Sequence, residues 1–152
     1  MRNELSLIFH NQILLTGAAA WGISQILKLI IYRIVNGKLV WERLRGDGGM
    51  PSSHSATVTS IALASGMQAG WDSPIFAVAF FLAVIVMHDA MGVRLETGKQ
   101  AKAINDMMVF IQEISEGRLT PEQTLKEFVG HTPLQVFVGC GLGIIVGVLM
   151  NL

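Results

Sequence analysis

The chain has 152 residues, of which 51% are hydrophobic and only 14% charged, with a net charge of zero and a mean hydropathy of +0.52. A soluble domain carries about a quarter charged residues, so this composition excludes one, and the balanced charge gives no sign of a nucleic-acid partner. The lone Cys140 excludes a disulfide or zinc framework and reads as a small buried hydrophobe.

Four apolar stretches are predicted as membrane helices, and together they make a single all-α domain over residues 1–152. The first runs from about Asn11 to Val35 and carries Lys28 and Arg33 toward one interface. It is too long for a signal peptide, and no small-residue cleavage site follows it. A basic loop with Lys38, Arg43 and Arg45 comes next. It ends in Gly48-Gly49-Met50-Pro51-Ser52-Ser53-His54-Ser55-Ala56. This segment sets glycines, hydroxyls and one titratable ring where a polar loop meets an apolar run. Helix N-termini attract anions because their first N–H groups lack partners and the macrodipole is positive there.

The second span, about Ser55 to Ala69, is short and diluted by Ser60, Ser65 and Gln68. It is predicted to be tilted, buried among its neighbours, or re-entrant. The third runs from about Ser73 to Met91 and closes on His88, Asp89 and Arg94. Beyond Gly92 and Gly98, a helix is predicted over Lys99–Glu116. Ile104, Met107, Met108, Ile111 and Ile114 recur there at helical spacing. That face suits packing on the protein or lying on the membrane surface. Thr120-Pro121-Glu122-Gln123 predicts a further short helix to about Phe128.

The last span, about Pro133 to Leu152, opens with Thr132 as cap, Pro133 in the first turn and Gln135 completing a capping box. Gly139, Gly143 and Gly147 recur every four residues, with Gly141 between. Such a face serves either packing within one chain or a homodimer seam. The basic residues crowd the loops after the first and third spans. The positive-inside rule therefore puts both loops in the cytoplasm and both termini outside.

Polar residues at membrane depth are expensive and tend to be functional. Here Lys28, Arg43, Arg45, Ser52, Ser53, His54, His88, Asp89, Arg94 and His131 converge on the cytoplasmic side. Singly, each has an ordinary explanation: Lys28 snorkels, the arginines set topology, a serine caps a helix, and Asp89 neutralises Arg94. Jointly they suit a phosphate ester. Cations and N–H donors cradle its oxygens, one histidine attacks and another protonates the leaving oxygen.

These residues resemble the type 2 phosphatidic acid phosphatase superfamily, which takes in acid phosphatases and vanadium-dependent haloperoxidases, and more closely its divergent branch of small membrane proteins. The resemblance rests on Gly48–Ala56, on Asp89–Arg94 followed by Gly98, Gln100, Ala101 and Asn105, and on Gly130-His131-Thr132-Pro133 with Val136 and Gly139. Lys28 and Arg43, with Arg45 as its rival, resemble the first signature block. Pro51-Ser52-Ser53-His54 resembles the second, with Ser53 in place of glycine. Arg94 and His131 resemble the third, although 36 residues intervene between them.

The resemblance implies hydrolysis of a lipid phosphomonoester on the inner leaflet of a bacterial inner membrane or a plastid-type membrane. Phosphatidylglycerophosphate is the favoured substrate, with phosphatidic acid or a polyprenyl phosphate as the others. His131 would form a phosphohistidine and His54 would protonate the leaving alcohol. Lys28, Arg43, Arg94, Ser52, Ser53 and backbone N–H groups near Gly49 would hold the phosphoryl oxygens. No metal or other cofactor is implied. Gln135 stands where the pattern has a carboxylate that orients the nucleophile: either its carbonyl fixes the imidazole tautomer without bringing a charge, or Asp89 supplies the missing carboxylate. Two other classes remain open: a lipid-phosphate binder without turnover, favoured by Gln135, and a small transporter subunit, suggested by short glycine-rich helices.

Overall fold

The computed structural model describes residues 4–38, 40–41, 48–115, 124–127 and 129–152. Among these the secondary structure is helical throughout, in the order α1 (Glu4–Ile8), α2 (Gln12–Asn36), α3 (Ser53–Ala69), α4 (Pro74–Met91), α5 (Val93–Ile114) and α6 (Pro133–Asn151). The helix starts follow the local chemistry. The side chains of Asn11, Ser52, Ser73 and Thr132 each accept an N–H in the first turn of α2, α3, α4 and α6. At Thr132 the full capping box forms with Gln135. α2 ends on Gly37 in the left-handed region, with its N–H bonded to Arg33 O.

Three helical stretches are long and apolar enough to cross a membrane: α2, Pro74–Ile114 with α4 at its head, and α6. The expected fourth, α3, has 17 residues and does not meet that standard. Its position explains its composition. α3 packs against α2, α4 and α6, and it buries Ser53, Ser55, Ala56, Ser60, Ala62, Ala64, Ser65 and Gly66. A helix ringed by protein needs small residues for close approach, whereas one facing lipid needs bulk. α4 shows the opposite pattern, with Val78, Phe80, Phe81, Leu82, Val84 and Ile85 exposed.

Polar locks at both ends fix how the helices run. Ser52 N–H donates to Gln135 O at one end, and Gln68 Nε2 donates to Asn151 Oδ1 at the other. α3 and α6 are therefore parallel and matched in length. Gln12 Nε2 donates to Met150 O and Asn151 Nδ2 to Thr16 Oγ1, so α2 runs antiparallel to them. Within the bundle the hydroxyls of Thr16, Ser24, Thr57 and Ser60 bond back to carbonyls of their own helices. This satisfies them where water is absent.

The glycine face of α6 is used inside the chain. A Cβ on Gly139 would lie 2.5 Å from Ser52 O, one on Gly143 2.5 Å from Ala56 O, and one on Gly147 2.8 Å from a Leu63 methyl. The face expected as either internal packing or a homodimer seam is thus occupied by α3.

α5 begins at Val93, not Lys99, and Gly92 alone separates it from α4. Gly98 lies inside α5, where a Cβ would be 2.6 Å from Glu127 O and 2.7 Å from Val129 O. The expected helix from Thr120 to about Phe128 is not helical over Thr124–Glu127, and residues 116–123 and 128 lie outside the described part. Asn105 gives the reason within that stretch. Its amide accepts Leu125 N–H and donates to Leu125 O and Glu127 Oε1, taking the peptide groups a helix would use.

Candidate active site

The site lies at the end of the bundle where α2 delivers Lys28, α3 and α6 begin, and α4 ends. Lys28 is 3% exposed. Gly49, with φ +104°, lays its backbone on the lysine stem, and a Cβ there would sit 3.3 Å from Lys28 Cγ. Few residues other than glycine adopt that φ. Ser52 is fully buried and caps α3: its Oγ accepts the N–H of Ser55 at 3.3 Å and the Ser55 hydroxyl at 3.0 Å. The hydroxyl expected at phosphate is therefore engaged as a helix cap, while Ser53 is buried at the first position of α3.

His131 is 1% exposed and is held from two sides. Its backbone N–H donates to Ala90 O at the end of α4. Its Nδ1 lies 3.2 Å from Gln135 Oε1, and the same oxygen accepts Thr132 N–H at 3.1 Å. The Thr132 donor requires an oxygen at that point, and that oxygen requires a proton on His131 Nδ1. The Nε2 lone pair then faces His54, 3.5 Å from its Nδ1, with the two rings set edge to face.

His131 lies in the connection ahead of α6. Burial pushes its imidazole below the ordinary value of 6.5, and the charges of His54 and Lys28 push the same way. Hydrogen bonding to Gln135 and to the backbone at Gly49 opposes them. A neutral ring with an unprotonated Nε2, beside a buried cation and the positive ends of two helices, is equipped to attack an anionic electrophile.

The 36-residue separation between Arg94 and His131 is closed in space. Gly130, at φ +90°, packs its backbone directly on Arg94 and Leu95, where no Cβ fits. With the close approach at Gly98 and the Asn105 clasp, this returns the chain to the start of α5 and sets His131 beside it. The Arg94 side chain is 43% exposed, and its Nε donates to Asp89 Oδ2 at 2.7 Å. Asp89 is thus paired with Arg94, and the oxygen at His131 Nδ1 is that of Gln135. His88 is exposed. Arg43 and Arg45 lie outside the described residues.

A model of the Divergent PAP2 family matches residues 9–146. The chain belongs to the divergent PAP2 family. It is also 41% identical over 140 residues to the uncharacterized membrane protein YuiD of Bacillus subtilis (strain 168), covering 87% of this chain and 89% of that one. No solved structure matches. Membership and the spanning helices together make this an integral membrane protein.

Within this divergent PAP2 protein, Gln135 has two roles in one group: it caps α6 and it orients His131. The residues that sequence reasoning left without a role are Gly98, Asn105 and Gly130. Their signal was a small-residue face, Gly98 and Ala101, running into a helix-interior asparagine. That pattern marks a groove for a chain segment, but it does not name the segment.

Proposed function

We propose that this protein is a lipid-phosphate phosphatase working through a phosphohistidine, with phosphatidylglycerophosphate as the favoured substrate. The observation that carries the reading is the pairing of His131 and His54 beside buried Lys28, with Gln135 fixing the tautomer that leaves Nε2 unprotonated. His131 Nε2 attacks phosphorus, the bond to the lipid oxygen breaks, and His54 donates a proton to that oxygen. Water then attacks phosphorus, His54 takes its proton, and inorganic phosphate leaves with His131 restored. The phosphoryl group enters between the rings as His54 turns aside. Lys28, the backbone near Gly49, Ser53 and Arg94 hold its oxygens, with Arg43 or Arg45 from the loop. No metal is part of the reading.

The test is phosphate release by purified protein from a panel of lipid phosphates. Release from phosphatidylglycerophosphate above the other lipids is expected, and no release from any of them overturns the reading. Gln135→Glu sharpens the test. The carboxylate keeps the acceptor for Thr132 N–H and places a charge beside the ring as it becomes positive. A charged acceptor strengthens a hydrogen bond by about 1–1.5 kcal/mol, or roughly tenfold in rate. The gain is far below the cost of about 10⁴ for the converse change in a serine protease, because there the amide also imposes the wrong tautomer. One observation favours a second reading: the uncharged Gln135 suits a protein that binds lipid phosphate without turnover. Saturable binding with no release, unaltered by Gln135→Glu, would select it.

For topology, we propose that α3 makes a fourth crossing and that the site faces the cytoplasm of a bacterial inner membrane. Support comes from the end-to-end match of α3 with α6 and from the basic loops at the site end. Single cysteines at Lys38, Gln112 and Asp72 in a Cys140→Ala background test it. In intact cells a membrane-impermeant thiol reagent is expected to label Asp72→Cys alone, and the opposite pattern overturns the orientation.

A further inference from the structure

One glycine of α6 is left unexplained by packing. A Cβ on Gly139, Gly143 or Gly147 meets α3, whereas a Cβ on Gly141 meets nothing within 4 Å. Glycine weakens a helix interior, so its presence there without a contact points to room kept open. Gly141 lines an apolar groove of about 390 Å³ between α2 and α6. Leu27 and Ile31 line it from α2, Val138, Leu142 and Ile145 from α6, and Pro51 from the segment ahead of α3.

The groove adjoins the site. Pro51 precedes Ser52, whose N–H bonds Gln135 O, and Leu27 precedes Lys28. From Val138 to Ile145 the groove follows α6 for about 10 Å. Val138 and Ile145 on its lining are exposed, and its walls belong to two helices long and apolar enough to cross a membrane, so it opens toward the bilayer. A peptide there would bury its backbone polar groups against apolar side chains without partners, whereas a hydrocarbon chain has none to satisfy.

We propose that this groove holds one hydrocarbon chain of the lipid whose phosphate sits at His131, and that Gly141 provides the room. The inference rests on the lipid-phosphate reading above. It makes the enzyme selective for chain length, with the lipid entering between α2 and α6 and its head group turned toward Lys28 and His131.

The experiment uses the full chain in lipid nanodiscs and phosphatidate bearing a diazirine midway along one acyl chain. After irradiation, adducts mapped by mass spectrometry are expected on Leu27, Ile31, Leu142 and Ile145. Dioleoyl phosphatidate competes for labelling and dioleoylglycerol does not. Gly141→Phe removes the adducts. Gly22→Phe retains them, since a Cβ on Gly22 also meets nothing within 4 Å and Gly22 does not line the groove. In turnover, Gly141→Phe lowers the rate on dioleoyl relative to dioctanoyl phosphatidate by at least about tenfold, the least that even a single misplaced methylene costs in an apolar pocket. Gly22→Phe leaves that ratio unchanged.

Adducts spread over the outward face of α4, equal competition by dioleoylglycerol, or labelling unaltered by Gly141→Phe would each overturn the proposal. Groove labelling without phosphate release from any lipid keeps the groove and removes the phosphatase reading. Release without groove labelling removes the groove alone.

Discussion

His131→Ala is expected to abolish phosphate release, by about 10⁴-fold or more, the scale on which loss of an attacking group is felt. The protein should still fold, because the bonds that place residue 131 are mainly made by others. Its N–H to Ala90 O is a backbone bond, Gly130 packs by its backbone on Arg94 and Leu95, and Thr132 and Gln135 cap each other. The companion His54→Ala variant separates the two roles. A phosphoenzyme should still form slowly from a substrate with a good leaving group, since that group needs no proton, while hydrolysis of the lipid ester is lost.

The pH profile carries the same assignment. Burial lowers the His131 pKa from 6.5, so the ring is neutral at pH 7 and becomes charged only at lower pH. The acid limb of kcat/KM is therefore expected below 6.5. Stability has the same sign: the folded state disfavours the charged ring, so the contribution of His131 is full above the unfolded value of 6.5 and is lost as pH falls through the lowered one. An acid limb at or above 6.5 in the free enzyme would assign the nucleophile elsewhere.

Gly143→Leu is expected to destabilise the bundle by about 3 kcal/mol, at the upper end for overpacking a close contact. The Cβ would meet Ala56 O at 2.5 Å, and a backbone oxygen cannot rotate out of the way. The helices must part along α3–α6, the contact that also holds Ser52 N–H on Gln135 O and so carries His54 toward His131. Activity should fall with stability. At Gly141, two residues earlier, an added Cβ meets nothing within 4 Å, so Gly141→Leu should not destabilise the bundle and gains up to about 1 kcal/mol from helix propensity. Thermal unfolding of both variants in one detergent gives the comparison. Equal midpoints would show that α6 does not rely on its glycines to approach α3.

The sequence by itself determined what depends on neighbours along the chain. Hydrophobic runs, the caps at Ser52 and Thr132, and Pro133 in the first turn specify membrane helices and their starts, because capping and periodicity act over one or two turns. The placement of Lys28, His54 and His131 at one end was legible for the same reason: helix length and charge asymmetry set depth. What a face packs against is not local, and the tertiary structure alone decided it. Gly139, Gly143 and Gly147 of α6 could meet another copy or α3, and they meet α3. Asp89 was a candidate for His131; it pairs with Arg94, and Gln135 Oε1 meets the ring's Nδ1. The short second span read as weak because sequence hydropathy assumes lipid around a helix, whereas α3 is surrounded by α2, α4 and α6. Arg94 and His131, far apart in sequence, are joined by two glycine contacts and one asparagine, whose bonding partners only the folded chain supplies.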